Sequence, residues 1–246
     1  VEPLERVIPI ARHLLTIRVD EERKDLWLWE RAERVFHSSR LLSRIPEVTG
    51  QQIDLVALGA AALFHCAAWA SQFAQGRVDR WQILARPTND IQRELGAALL
   101  AEHVGHLLPP KTARLAADAI RQCNDHHTPL IEAQILAEAE NLDEMGTLYV
   151  LRQFRQYQAD GHPLKQITAS WQRQREYRYW EVRVSSGLRF ETTRRLARAR
   201  LQAVDAFMEA LAGDLGNADV ARVLQEAGIE LPAPPVVEEL PPEQGH

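Results

Sequence analysis

Residues 132–146 read EAQILAEAENLDEMG, and their pattern decides what the rest of the chain must be. Ile131, Ile135, Leu142 and Met145 share one side of a helical projection. Glu138 lies among them and Glu140 at the flank of the stripe. A carboxylate on a buried stripe costs several kcal/mol unless a partner neutralises it. Just upstream, Thr128 sets a capping hydroxyl before Pro129, which needs no backbone donor. The spacing predicts a helix over 129–159.

The same three- and four-residue steps recur almost throughout, and strand signals are scarce. Further helices are expected over 3–16, 20–44, 51–70, 89–107, 111–125, 163–183, 190–213 and 217–227. Thr49 and Gln52 suit a capping box, Asn217 suits a cap, and Gly228 a helix end. The 51–70 segment is apolar nearly all round, through Leu55, Val56, Leu58, Ala61, Leu63, Phe64 and Ala67. A helix without a polar face is normally enclosed by others, so it is expected at the bundle centre. The fold class expected is all-α, a single multi-helix domain over 1–230. Five prolines and three glutamates fall within 231–246, which is expected to be an extended, disordered tail.

With 46% hydrophobic and 26% charged residues, the 246-residue chain has ample material for a core. A net charge of −5 gives no global sign of a nucleic-acid or membrane partner. No apolar run reads as a bilayer span; the longest, Val56 to Ala70, is interrupted by Gly59 and His65-Cys66. Two cysteines are too few for a disulfide framework and fit a reducing cytoplasm. The chain opens on Val1 without a signal-peptide layout, so it is expected to start after processing or trimming.

Four stretches carry a resemblance. They are Arg31-Ala32-Glu33-Arg34-Val35, Ala61-Ala62-Leu63-Phe64-His65-Cys66, Glu132 to Gly146, and Thr192-Thr193-Arg194-Arg195-Leu196-Ala197-Arg198-Ala199-Arg200. In that order they resemble the motifs of a bacterial branch of the HD superfamily of metal-dependent phosphohydrolases. Those motifs read roughly H-x-x-R-V, A-A-L-L-H-D and E-A-x-I-x-x-D-A-D-x-L-D-x-x-G, followed by a closing helix rich in Thr, Ala, Leu and Arg. The resemblance covers about residues 25 to 213. It implies a helical fold and a divalent cation held by two imidazoles and two carboxylates, which acidifies an attacking water.

At the ligand positions the chain departs from the family. Arg31 stands for the first histidine, Cys66 for the paired aspartate and Glu140 for the later one, and only His65 is retained. Glu138 replaces another aspartate, and Gln92 and Cys123 stand where auxiliary histidines are common. A guanidinium offers no lone pair and repels a cation. A thiolate is softer than a carboxylate and favours zinc over magnesium or manganese. These changes predict a degenerate site with no metal and no cofactor. Bland roles are also open: His65 as a core histidine and Cys66 as a small buried hydrophobe. Arg31 is expected to pair with Glu140 or Glu138 in the vacated site.

Three functions are compatible with these residues. The first is a non-catalytic domain that binds a small phosphorylated ligand or a protein partner, with a homo-oligomer as one form of the latter. The second is a phosphohydrolase acting on nucleotides or phosphate esters through a divalent metal. Its rearranged site would use His37, His65, His126 and Glu140, with His127 and Asp143 nearby. The third is a nucleic-acid-associated protein using residues 171–200, where nine arginines meet three glutamates among Trp171, Tyr177, Tyr179, Trp180 and Phe190. Against it, the aromatics would form an inner face and the arginines a solvated one.

Overall fold

The computed structural model describes residues 2–85 and 88–230. The expected tail, 231–246, lies outside the described residues. In chain order the elements begin with α1 (Glu2–Leu15), a two-stranded ribbon β1 (Ile17–Arg18) and β2 (Lys24–Asp25), and α2 (Trp27–Leu42). Next come α3 (Leu55–Phe64), α4 (Ala67–Ala74), α5 (Gln82–Ala85), α6 (Asp90–Val104), α7 (Pro110–Gln122) and α8 (Ile131–Asp143). The remainder is α9 (Thr147–Ala159), α10 (Lys165–Glu176), α11 (Tyr179–Gly187), α12 (Glu191–Leu215) and α13 (Ala218–Glu226). Among the described residues the ribbon is the only sheet, antiparallel with Ile17 opposite Asp25. The fold is all-α.

Helix α3 is the hub, packed by α1, α2, α6, α7 and α8. Every residue from Ala57 to Phe64 is buried. Gly59 permits this closeness, because a Cβ there would stand 2.9 Å from both Leu4 Cδ1 and Phe36 Cε2. The second group, α9 to α12, packs about α12, which also touches α8.

Several boundaries differ from the expected ones, each for a local reason. The helix expected over 20–44 starts at Trp27, because the Asp20 carboxylate accepts from Glu22 N and Arg23 N in a turn, and Asp25 accepts from Trp27 N. The helix expected from 51 starts at Leu55: Asp54 accepts from Val56 N and Ala57 N at 3.0 and 2.9 Å. Thr49 is therefore no N-cap; its hydroxyl donates to the Ile45 carbonyl. The single helix expected over 51–70 breaks at His65-Cys66. Leu55–Ala74 does reach the length and hydropathy of a membrane span (20 residues, mean hydropathy 1.4), contrary to the expectation. Yet 78% of that window is buried inside the protein, as two core helices.

The helix expected over 129–159 divides at Gly146, whose φ of +92° suits a residue without a Cβ. Arg200 packs against it and donates to the Leu142 carbonyl, so α12 closes the end of α8. The helix expected over 163–183 likewise divides at Tyr177-Arg178, where Arg178 has φ +53°. Thr128 accepts from Leu130 N, Asn217 begins α13 without a side-chain cap bond, and Gly228 follows α13 with φ +71°.

Candidate functional site

Five helices and the α3–α4 break converge where the motifs meet. Helix α2 supplies Arg31 and Arg34, the break supplies His65 and Cys66, and α6 supplies Arg93. Helix α8 and its C-terminal residue supply Glu140, Asp143 and Glu144, while α9 and α11 supply Arg152 and Arg183.

His65 is fully buried. Its Nδ1 lies 2.6 Å from the Ala62 carbonyl oxygen, so that nitrogen carries the proton and donates. Nε2 is buried with no partner. Burial, with Arg31 and Arg93 nearby, pushes the imidazole below its ordinary pKa and keeps it neutral. Cys66 is equally enclosed; burial pushes its thiol up to about 12, and its S–H points at the Leu28 carbonyl oxygen, 3.7 Å away. To ligate a metal this thiol would have to give up its proton.

Glu140 is held by Arg93, not by Arg31. The guanidinium donates from Nη1 to Oε1 at 2.7 Å and from Nη2 to Oε2 at 2.6 Å, the bidentate fork of the strongest arginine–carboxylate pairs. Burial alone would raise the Glu140 pKa; the charge and hydrogen bonds of Arg93, with Arg31 further off, hold it below the ordinary value instead. Burial likewise opposes the Arg93 charge, and Glu140 restores it. Asn124 completes the shell, its Oδ1 accepting from Arg93 Nε and Nη2.

Arg31 pairs with Glu144 at 3.0 Å, and its Nε lies 4.0 Å from Asp143. Glu144 also receives Arg183 and stands 3.6 Å from Arg152. Burial would raise the Glu144 carboxyl, but Arg31, Arg183 and Arg152 bring it down to about 2. Asp143 faces Arg34, which donates from Nε at 2.6 Å and Nη2 at 3.2 Å.

The expected pairing of Arg31 with Glu140 or Glu138 is therefore corrected. Glu138 stands two residues before Glu140, about 200° round the helix, and faces α12. There it accepts from Arg189 N, Phe190 N and the Thr193 hydroxyl, closing the first turn of α12 from below. Burial raises its pKa. Gln92 makes a capping box with Asn89, and its neighbour Arg93 is the residue that enters the site. Cys123 lies 3.9 Å from Glu140 Oε1 and also donates to the Ile120 carbonyl.

The relocated metal site is not assembled. His37 is exposed against Phe36; six residues from Arg31 fall about 120° short of two turns. His126 and His127 are exposed in the turn after α7. Among the described residues no group of three or more His, Cys, Asp or Glu side chains is disposed to hold a metal ion. The metal that the resemblance implies does not fit these residues. His65 offers one lone pair, the Cys66 sulfur faces the Leu28 carbonyl, and both Glu140 oxygens are taken by Arg93.

Comparison with solved structures bears on this arrangement. A predicted HD superfamily hydrolase from an uncultured Thermotogales bacterium superposes with a TM-score of 0.53 at 18% identity, covering 86% of this chain and 92% of that one. The chain shares its fold with that HD superfamily hydrolase. Bacillus subtilis YpgQ in complex with ADP gives a TM-score of 0.56 at 17% identity, over 87% of this chain and 95% of that one. No protein-family model and no curated protein matches the chain. The HD-fold frame thus holds Arg31, His65 and Glu140 in one buried cluster, knitted by arginines that the motif comparison did not single out. Arg93 and Arg152 gave no local signal, and neither the arginine content of 171–200 nor the motif over 132–146 pointed Arg183 or Glu144 into the cluster. The hint available was that a buried Glu140 demands a cation from some neighbouring helix.

Along 171–200, Trp171, Trp180 and Phe190 are buried and most arginines lie outside, as an inner aromatic face requires. Tyr177 and Tyr179 depart from it, at 80% and 47% exposure.

Proposed function

We propose that this HD-fold protein has given up metal-dependent phosphohydrolysis and acts by binding. The observation that carries this reading is the bidentate Arg93–Glu140 pair. It places a fixed positive charge on the carboxylate that would otherwise face a cation. A divalent ion about 4 Å from a guanidinium is repelled by roughly 8 kcal/mol at an effective dielectric of 20. His65 could offset little of that with one neutral nitrogen. Without a metal, nothing in the cluster can acidify a water: His65 is neutral and enclosed, and the carboxylates are engaged with guanidinium groups.

Steady-state phosphate release tests this. With manganese, magnesium, cobalt or zinc supplied, nucleoside di- and triphosphates and a generic aryl phosphate are expected to turn over at the buffer background. Metal-dependent turnover that disappears in His65→Ala would contradict the reading.

A further inference from the structure

Within the buried cluster two of the three carboxylates are matched one to one. Arg93 takes Glu140 with both ends of its fork, and Arg34 takes Asp143 through bonds of 2.6 and 3.2 Å. Glu144 is left to three guanidinium groups, those of Arg31, Arg152 and Arg183. A surplus of two positive charges therefore sits on these three arginines. Arg183 also donates to the Asn141 side-chain oxygen. Arg31 and Arg152 are less well served: among the described residues neither Nε has an acceptor, and both atoms are buried. Asp143 Oδ2, 4.0 Å from Arg31 Nε, is beyond hydrogen-bond reach. Side-chain exposures of 10% for Arg31 and 19% for Arg152 leave little water to screen them. A buried donor without an acceptor is costly, and more so when it carries charge.

Arg31 and Arg152 meet at one small cavity, whose wall also holds Arg34, Asp143, Trp27, Leu148 and Tyr149. Three guanidinium groups stand in that wall against a single carboxylate, and Arg34 already engages it. The cavity gives the centre of a water-sized body about 10 Å³, room for one water or one monatomic ion. A phosphorylated or drug-sized ligand needs far more. Burial depresses the Arg152 pKa, Glu144 restores part of it, and Arg31 and Arg183 lower it again. That is the behaviour of a cation with more like charges than opposite ones around it. A water satisfies an Nε–H group without touching the charge; an anion does both.

We infer that this cavity is a halide site, in which a single chloride ion accepts from the Nε–H groups of Arg31 and Arg152. Chloride carries one negative charge, accepts hydrogen bonds from any direction and brings no proton that needs a partner of its own. It halves the surplus, and Arg183, at 22% exposure, leaves the remainder within reach of solvent. The ion joins α2, which carries Arg31 and Arg34, to α9, which carries Arg152; without it these helices present like charges to each other. Chloride is then a structural ion of the fold, whatever ligand the protein binds.

Melting of the full chain, with sodium gluconate exchanged for sodium chloride at constant ionic strength, tests it. Chloride is expected to raise the melting temperature saturably, by about 2 to 4 °C, and bromide to do the same. Arg152→Met removes one donor and one surplus charge, so its melting temperature should be the same in both salts. Crystals grown with sodium bromide should show an anomalous peak in the cavity, in contact with Arg31 Nε and Arg152 Nε. That measurement uses the parent protein and decides the matter if Arg152→Met does not fold. Equal melting of the parent in chloride and gluconate, or no bromide peak in the cavity, would overturn the inference. So would a chloride effect that persists undiminished in Arg152→Met, which would place the ion elsewhere.

Discussion

Glu140→Ala should destabilise the protein by about 3 to 5 kcal/mol, the cost of stranding one partner of a buried ion pair. Arg93 would remain almost fully enclosed at 4% exposure, with only Asn124 to accept its N–H groups. A loss of that size is a large share of the roughly 5 to 15 kcal/mol that holds most domains together. Urea denaturation followed by circular dichroism measures it. The companion variant makes the test specific. Arg93→Met combined with Glu140→Leu removes both charges and fills similar space, so it should lie within about 2 kcal/mol of the parent. If Glu140→Ala is tolerated, or the double variant is no better than the single one, the pair does not hold the site as described.

Acid should unfold the protein through Glu144. Its carboxyl is held at about 2 in the folded state, against an ordinary 4.5. A depressed carboxyl contributes stability that is complete above the unfolded value and is lost as pH falls through the folded one. The window is therefore from about pH 4.5 down to about 2. At 1.36 kcal/mol per pKa unit, the contribution is on the order of 3 kcal/mol for a side chain only 22% exposed. Glu144→Gln removes this one titration. Stability measured at pH 6.5, 4.5 and 3 should fall more steeply for the parent than for the variant, with Glu140 lending a fall of the same sign to both. Parallel pH profiles would show that three arginines do not converge on Glu144 in solution.

These residues also mark how far the sequence could be read. Helical periodicity located the core at 51–70 because burial on all sides leaves no polar position, a pattern visible without neighbours. It missed the break at His65-Cys66, because both residues are as fully buried as the helices they join and leave no polar gap in the pattern. Starts were misjudged where a capping side chain competes with periodicity: Asp54 outcompetes Thr49, and Asp25 defines the start at Trp27. The cluster itself was legible through Arg31, His65, Cys66 and Glu140, whose motif frames carry them. Its wiring was not. Arg93 and Glu140 are 47 residues apart, and Arg183 and Glu144 are 39 apart. No local pattern reports which of several arginines reaches a given carboxylate. Six residues along a helix place His37 on the wrong side, an error of rotation that spacing alone could have caught.

In the reading proposed above, guanidinium groups take the place of a metal among Glu140, Asp143 and Glu144. Calorimetric titration of the chelator-treated protein with manganese tests it most directly, with metal content by mass spectrometry before treatment as the check on what it carried. The account predicts no saturable heat up to millimolar manganese and no stoichiometric transition metal in the protein as isolated. Stoichiometric binding that is lost in His65→Ala, or in Glu140→Gln, would contradict it.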